Sequence, residues 1–175
     1  GLKTFPYYSI WGADRYLNHF QDEQHRIEAC NVFCTNNSTN IILTSFLGLC
    51  QRVVSKDILL EKRFRVRVKQ NCDWDRFVNK LKDFGYRETN EVQEKSCYSV
   101  RGGVIDYFSI QEDHPTRVEF IGEEVASIRS FDIQTQRSLG DLDYQEIIAS
   151  NVFADMQGKD VELNQSIYDY LTKYS

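Results

Sequence analysis

Asp22-Glu23-Gln24-His25 carries the letters of a DExH box, in which an acidic pair holds magnesium and water beside a nucleotide γ-phosphate. That chemistry needs the pair at the end of a buried apolar strand. The residues before it, Tyr16-Leu17-Asn18-His19-Phe20-Gln21, suit a helix instead. It also needs a phosphate-cradling GxxxxGK[ST] loop, and none occurs. Gly158-Lys159 is the one Gly-Lys pair, and Asp160 follows it. The string is read as a chance match, which disfavours a DExH-type ATPase or nuclease.

Other chemistry is equally thin. Five cysteines (Cys30, Cys34, Cys50, Cys72, Cys97) are odd in number and scattered, with no CxxC pair. Cys30 and Cys34 could share a helical face, but apolar neighbours make reduced core thiols the better reading. His19, His25 and His114 form no ligand cluster with them. No GxSxG occurs. The acidic pairs Asp141/Asp143 and Glu123/Glu124 fall in expected turns, where solvated carboxylates are ordinary. Neither catalysis, a metal nor a cofactor is expected in this chain.

One segment could do recognition chemistry. In Thr116 to Ile121, alternation puts Val118 and Phe120 on one face and Arg117, Glu119 and Ile121 on the other. Two opposite charges beside a bulky apolar side chain suit a protein interface. The same residues also describe a solvated sheet face with one stray isoleucine. Arg101-Gly102-Gly103 reads as a bulge or a tight strand entry.

Charge argues against nucleic acid as the partner. The net charge is −5, from 26 acidic and 21 basic residues, whereas a phosphate-binding domain normally shows a basic excess. Lys62, Arg63, Arg65, Arg67 and Lys69 form the nearest thing to a basic stripe. Their alternation with Phe64, Val66 and Val68 reads as the wet face of a strand. No stretch approaches the roughly 18 apolar residues of a membrane span, and no signal peptide is evident. Residue 1 is Gly, not Met, giving the look of a piece excised from a longer chain.

The elements that must position these residues follow from changes of period. Ala13 to Phe33 reads as helix, Thr35 to Asn40 as a polar break, and Ile41 to Ser45 as a strand buried on both faces. Phe46 to Val54 suits a helix, and together these resemble the end of a parallel α/β layer. Phe64 to Val68 then reads as a strand. Asp73 caps a helix displaying Trp74, Phe77, Val78 and Leu81, and Gly85 ends it. Strands follow at Tyr98 to Val100, Val104 to Phe108, Thr116 to Ile121 and Val125 to Phe131, with turns at Gln111 to Pro115 and at Gly122. A last helix is predicted from near Asp160, with Leu163, Ile167, Tyr170, Leu171 and Tyr174 on one stripe. The fold class is α+β, a small antiparallel sheet with packed helices, flanked by part of an α/β layer.

The segment from Cys97 to Leu139 resembles the domain shared by the bacterial transcription-repair coupling factors (Mfd) and the excision-nuclease subunit UvrB. The family pattern is RGxxxDxF, a loop, R-[VLI]-[DE]-F-F, a turn, and D/E-E-[IV]-x-S/R-[LI]-x-x-F-D. Here it reads Arg101-Gly102, Asp106, Phe108, Arg117-Val118-Glu119-Phe120-Ile121, Glu124-Val125, Ser127-Ile128 and Phe131-Asp132. Thr135-Gln136-Arg137-Ser138-Leu139 is closer to the coupling factor than to UvrB. Phe5-Pro6-Tyr7, Asn40 to Val53, and Asp83-Phe84-Gly85-Tyr86-Arg87 with Val92 extend the likeness.

The resemblance implies residues 1–55 as the end of a degenerate nucleotide-binding-like domain (UvrB-like domain 1a), 56–150 as UvrB-like domain 2, and 151–175 as the start of domain 1b. It implies that domain 2 binds UvrA, the damage-recognition ATPase, through Arg101, Arg117 and Ile121, with Glu119 beside them. Ile121 stands where the coupling factor has phenylalanine, an aliphatic anchor in place of a ring. The parent would add contacts to RNA polymerase and duplex DNA, with ATP and magnesium held in a translocase of helicase superfamily 2. This fragment itself would be non-catalytic, in the bacterial cytoplasm. A piece of UvrB is the alternative parent.

Overall fold

The structure, a computed structural model, describes residues 2–5, 19–35, 41–50, 52–53, 55–151 and 165–166. The chain divides into two units, residues 1–61 with 151–175, and residues 62–150.

In the first unit, β1 (Leu2–Phe5) pairs in parallel with β2 (Ile41–Thr44), in register from Leu2↔Ile41 to Phe5↔Thr44. Helix α1 (His19–Thr35) contributes buried Ile27, Ala29 and Cys30 beside buried Phe5. Its Arg26 guanidinium lies 4.5 Å from the Phe5 ring centroid, a cation–π contact. The start expected near Ala13 lies outside the described residues.

Three expectations are corrected here. Strand β2 is not buried on both faces: Ile41 is 66% and Leu43 63% exposed, and Ile42 and Thr44 on the other side are only half-buried, so an apolar run here does not mean cover on both sides. Helix α2 (Phe46–Cys50) does not run to Val54, since β3 (Arg52–Val53) is extended. The described part of the expected last helix is instead β12 (Gln165–Ser166), antiparallel to β3. Pairing between distant segments overrides local helical period in both cases. Helix α3 (Lys56–Glu61), begun by Ser55 with its hydroxyl accepting from the Ile58 N–H, was not anticipated.

The second unit is the α+β body. Strand β4 (Arg63–Arg67) leads to α4 (Trp74–Asp83). The Asp73 carboxylate accepts from the Asp75 and Arg76 N–H groups at 2.9 and 3.4 Å, satisfying two otherwise orphaned donors. At the other end Gly85 takes φ 79, letting its N–H reach the Lys82 carbonyl and the Tyr86 N–H the Leu81 carbonyl. This is the left-handed stop a helix makes most cheaply with glycine. Phe77, Val78 and Leu81 recur at helical spacing and are all buried.

Then come β5 (Arg87–Glu88), β6 (Cys97–Arg101), β7 (Val104–Tyr107), β8 (Thr116–Ile121), β9 (Glu124–Phe131) and β10 (Ser138–Asp141), in spatial order β10-β9-β8-β7-β6-β5. All pairings are antiparallel except β5 with β6. Ile105, Val118, Val125 and Ile128 point inward and are fully buried. The Phe77 ring meets Phe64, Tyr107 and Phe120 at centroid distances of 5.7, 6.1 and 5.6 Å. Helix α4 therefore packs on the inner face, opposite the side that carries Asp106 and Arg117.

Strand β11 (Tyr144–Ile148) returns to pair antiparallel with β4. The basic stripe lies along this pair of strands. Val66 is buried, while Arg63 and Arg65 both donate to Glu146, at 3.0 Å each. Arg65 and Arg67 lie 5.5 and 5.3 Å from the Tyr144 ring centroid. It is a strand face whose charges are met largely by their own neighbours.

Candidate functional site

Two tight hairpins build the outer face. Gly102 (φ 60) opens the two-residue turn between β6 and β7, and Gly122 (φ 62) opens the turn between β8 and β9. Glycine with positive φ at the first turn position suits the twist of antiparallel strands. A Cβ on Gly103 would meet the Phe120 carbonyl oxygen at 2.8 Å, so the two hairpin ends approach closely. An irregularity in the β8–β9 register places an extra residue, Ala126, on β9, and alternation along β8 continues unbroken.

Cross-strand register brings Asp106 of β7 opposite Arg117 of β8, and Arg117 opposite Arg129 of β9. Like charges directly opposed would repel. They are reconciled by turning to carboxylates on different sides. Arg117 donates from Nε to Asp106 Oδ1 at 2.7 Å and from Nη2 to Oδ2 at 2.8 Å, a bidentate fork. Arg129 turns instead to Glu119, which also accepts from the Ser127 hydroxyl at 2.8 Å. Arg101 Nη2 donates to the same Asp106 Oδ2.

The carboxylate at the centre is 1% exposed, yet two guanidinium groups supply its donors. Hydrogen bonding to Asp106 raises Arg117 above the ordinary arginine range, so its charge is fixed. Arg117 also donates to Gln136 Oε1 at 3.1 Å and lies 4.6 Å from the Phe131 ring centroid. Gln136 (φ 59) is held by the Asp132–Arg137 turn, where Asp132 Oδ1 accepts from the Thr135 N–H and hydroxyl. Those bonds, the backbone one foremost, lower the Asp132 pKa. Beyond this network Ile121 stands 76% exposed.

The four residues singled out from sequence thus share one sheet face. Arg101 and Arg117 meet through Asp106, Glu119 pairs with Arg129, and Ile121 reaches solvent at the strand end. Asp106, Ser127, Arg129 and Gln136 were not anticipated in these roles. Pairing the β7–β8 strands by their alternation would have set Asp106 beside Arg117; Gln136 depends on a loop conformation that periodicity does not encode.

The DExH string falls within α1, not at a strand end. Among the described residues no group of three or more His, Cys, Asp or Glu side chains could hold a metal, and no helix is long and apolar enough to cross a membrane.

The family model of the UvrB interaction domain matches residues 64–153, slightly more than half of the chain and nearly all of the second unit. The chain belongs to the UvrB interaction domain family. Its relatives include transcription-repair-coupling factors of Staphylococcus aureus, 34% identical over 104 residues, and of Staphylococcus haemolyticus, 34% over 103. A third, from Staphylococcus epidermidis, is 37% identical over 95 residues. The alignments cover 54–59% of this chain but only 8–9% of each relative.

Proposed function

We propose that this chain is a non-catalytic docking module of a coupling factor, and that the outer face of its sheet binds UvrA. The observation that carries the reading is Ile121. A large apolar side chain stands in solvent at the end of a strand whose neighbouring charges are already ordered by ion pairs. Burying it yields apolar transfer energy without unpairing those charges, the pattern of an interface anchor within a polar rim. Arg101, Arg117 and Glu119 form that rim.

Docking would bring the excision machinery to stalled transcription. RNA polymerase and duplex DNA would be engaged by other domains of a longer protein, and ATP with magnesium would serve a translocase there. The relatives are coupling factors, which favours that parent over UvrB. Titration of UvrA into this chain by calorimetry tests the reading. Wild type should bind, and Ile121→Asp, checked for native circular dichroism, should weaken binding at least about tenfold, roughly 1.4 kcal/mol. Equal affinity of the two proteins would reject the face.

A further inference from the structure

Asp106 has a task that ordinary sheet packing does not explain. It is 1% exposed and lies on the outer, polar side of β7, between Ser99 and Arg117 in register. Arg101 Nη2 and Arg117 Nη2 donate to one and the same oxygen, Oδ2. Two guanidinium groups that would repel each other are thereby held side by side. Gln136 and the Phe131 ring fix Arg117 from the opposite flank.

Both guanidinium groups keep donors outside this network. Arg117 spends Nε and Nη2 inside the network, and Nη1 has no partner among the described residues. Arg101 spends only Nη2, and its side chain is 49% exposed. An arginine carries five N–H donors, so unspent ones remain on both groups.

Resting on the docking reading above, we propose that Asp106 is a positioning residue which ties Arg101 and Arg117 into one preformed donor pair for a single carboxylate of the partner. The acceptor is a carboxylate because two adjacent guanidinium groups, only partly neutralised by one Asp106, favour an anion that can accept from both. Preorganisation supports affinity because the partner need not order two long side chains. Asp106 never touches the partner; it acts through the arginines.

A double-mutant cycle on UvrA binding tests this, together with the 15Nε–1Hε resonances of the free protein. Wild type should give a slowly exchanging Arg117 Hε signal, and Asp106→Asn should broaden or lose it. Asp106→Asn should weaken UvrA binding about thirtyfold, the loss expected when a buried charged pair is broken. Arg101→Met should cost about tenfold in wild type and little in the Asp106→Asn background. Should Asp106→Asn not fold, Asp106→Glu, which keeps the charge but moves the carboxylate one methylene away from the oxygen both arginines share, replaces it in both measurements. Additive losses, or unchanged affinity once the Hε signal has collapsed, would make Asp106 purely structural and overturn the proposal while docking stands. Absence of wild-type binding would remove the docking reading itself, and this proposal with it.

Discussion

Phe77→Ala separates the two faces of the sheet by their energetics. Phe77 is fully buried on α4 and its ring meets three others, with Phe64 and Phe120 edge-on. Truncating a buried phenylalanine costs about 3–5 kcal/mol through lost transfer energy and the cavity left behind. Each aromatic contact adds about 0.5–1.5 kcal/mol beyond area, which keeps this site clear of the bottom of that range, at about 4 kcal/mol. A native domain holds only about 5–15 kcal/mol in all, so at least about a quarter of the margin should disappear. Urea unfolding followed by far-ultraviolet circular dichroism measures it. With a slope of about 2 kcal/mol/M, the midpoint should fall by about 2 M with the slope unchanged. Ile121→Ala on the outer face, with nothing to cavitate, should stay within about 0.5 kcal/mol of wild type. A Phe77→Ala loss below about 1.5 kcal/mol, or an equal loss for Ile121→Ala, would refute the assignment of inner and outer faces.

Three further measurements test the Asp132 turn, the close hairpin contact and the burial of the thiols. The Asp132 pKa is depressed in the fold, so the charged form stabilises the native state above the ordinary value of 3.8, and that contribution is lost as pH falls through the depressed value. The melting-temperature gap between wild type and Asp132→Asn should therefore close as pH drops below about 4, and a pH-independent gap would contradict the turn. Gly103→Ala forces a Cβ against the Phe120 carbonyl and should cost about 1–3 kcal/mol in thermal unfolding, a neutral result excluding the close approach of the hairpins. Burial pushes the Cys72 and Cys97 thiols above their ordinary pKa, whereas Cys50 is exposed. Iodoacetamide followed by mass spectrometry should modify Cys50 well before the other two; faster labelling of either buried thiol would contradict their placement.

Local signals were legible where one element carried its own punctuation. Asp73, the Trp74-Phe77-Val78-Leu81 spacing and Gly85 together delimit α4, and glycine turns with alternation delimit β6 to β9. What escaped depends on partners far away in sequence. Ser138–Asp141 is exposed throughout and has no apolar alternation, so β10 exists only by pairing with β9. Strand β11 needs β4, and β3 needs β12. The exposed side of Ile41 and Leu43 was missed for the opposite reason: a continuous apolar run signals burial on both faces whether or not a neighbour covers them. In the site, one-strand alternation suffices to gather Arg117, Glu119 and Ile121. The Asp106 bridge requires three strands in register.

Amide hydrogen exchange of this chain with and without UvrA tests the docking face most directly. Protection should appear at the β6–β7 and β8–β9 hairpins around Arg101 and Ile121, with α4 unchanged. Protection confined to α4, to the β4–β11 ribbon or to residues 1–61 would contradict the face, even if binding itself were strong.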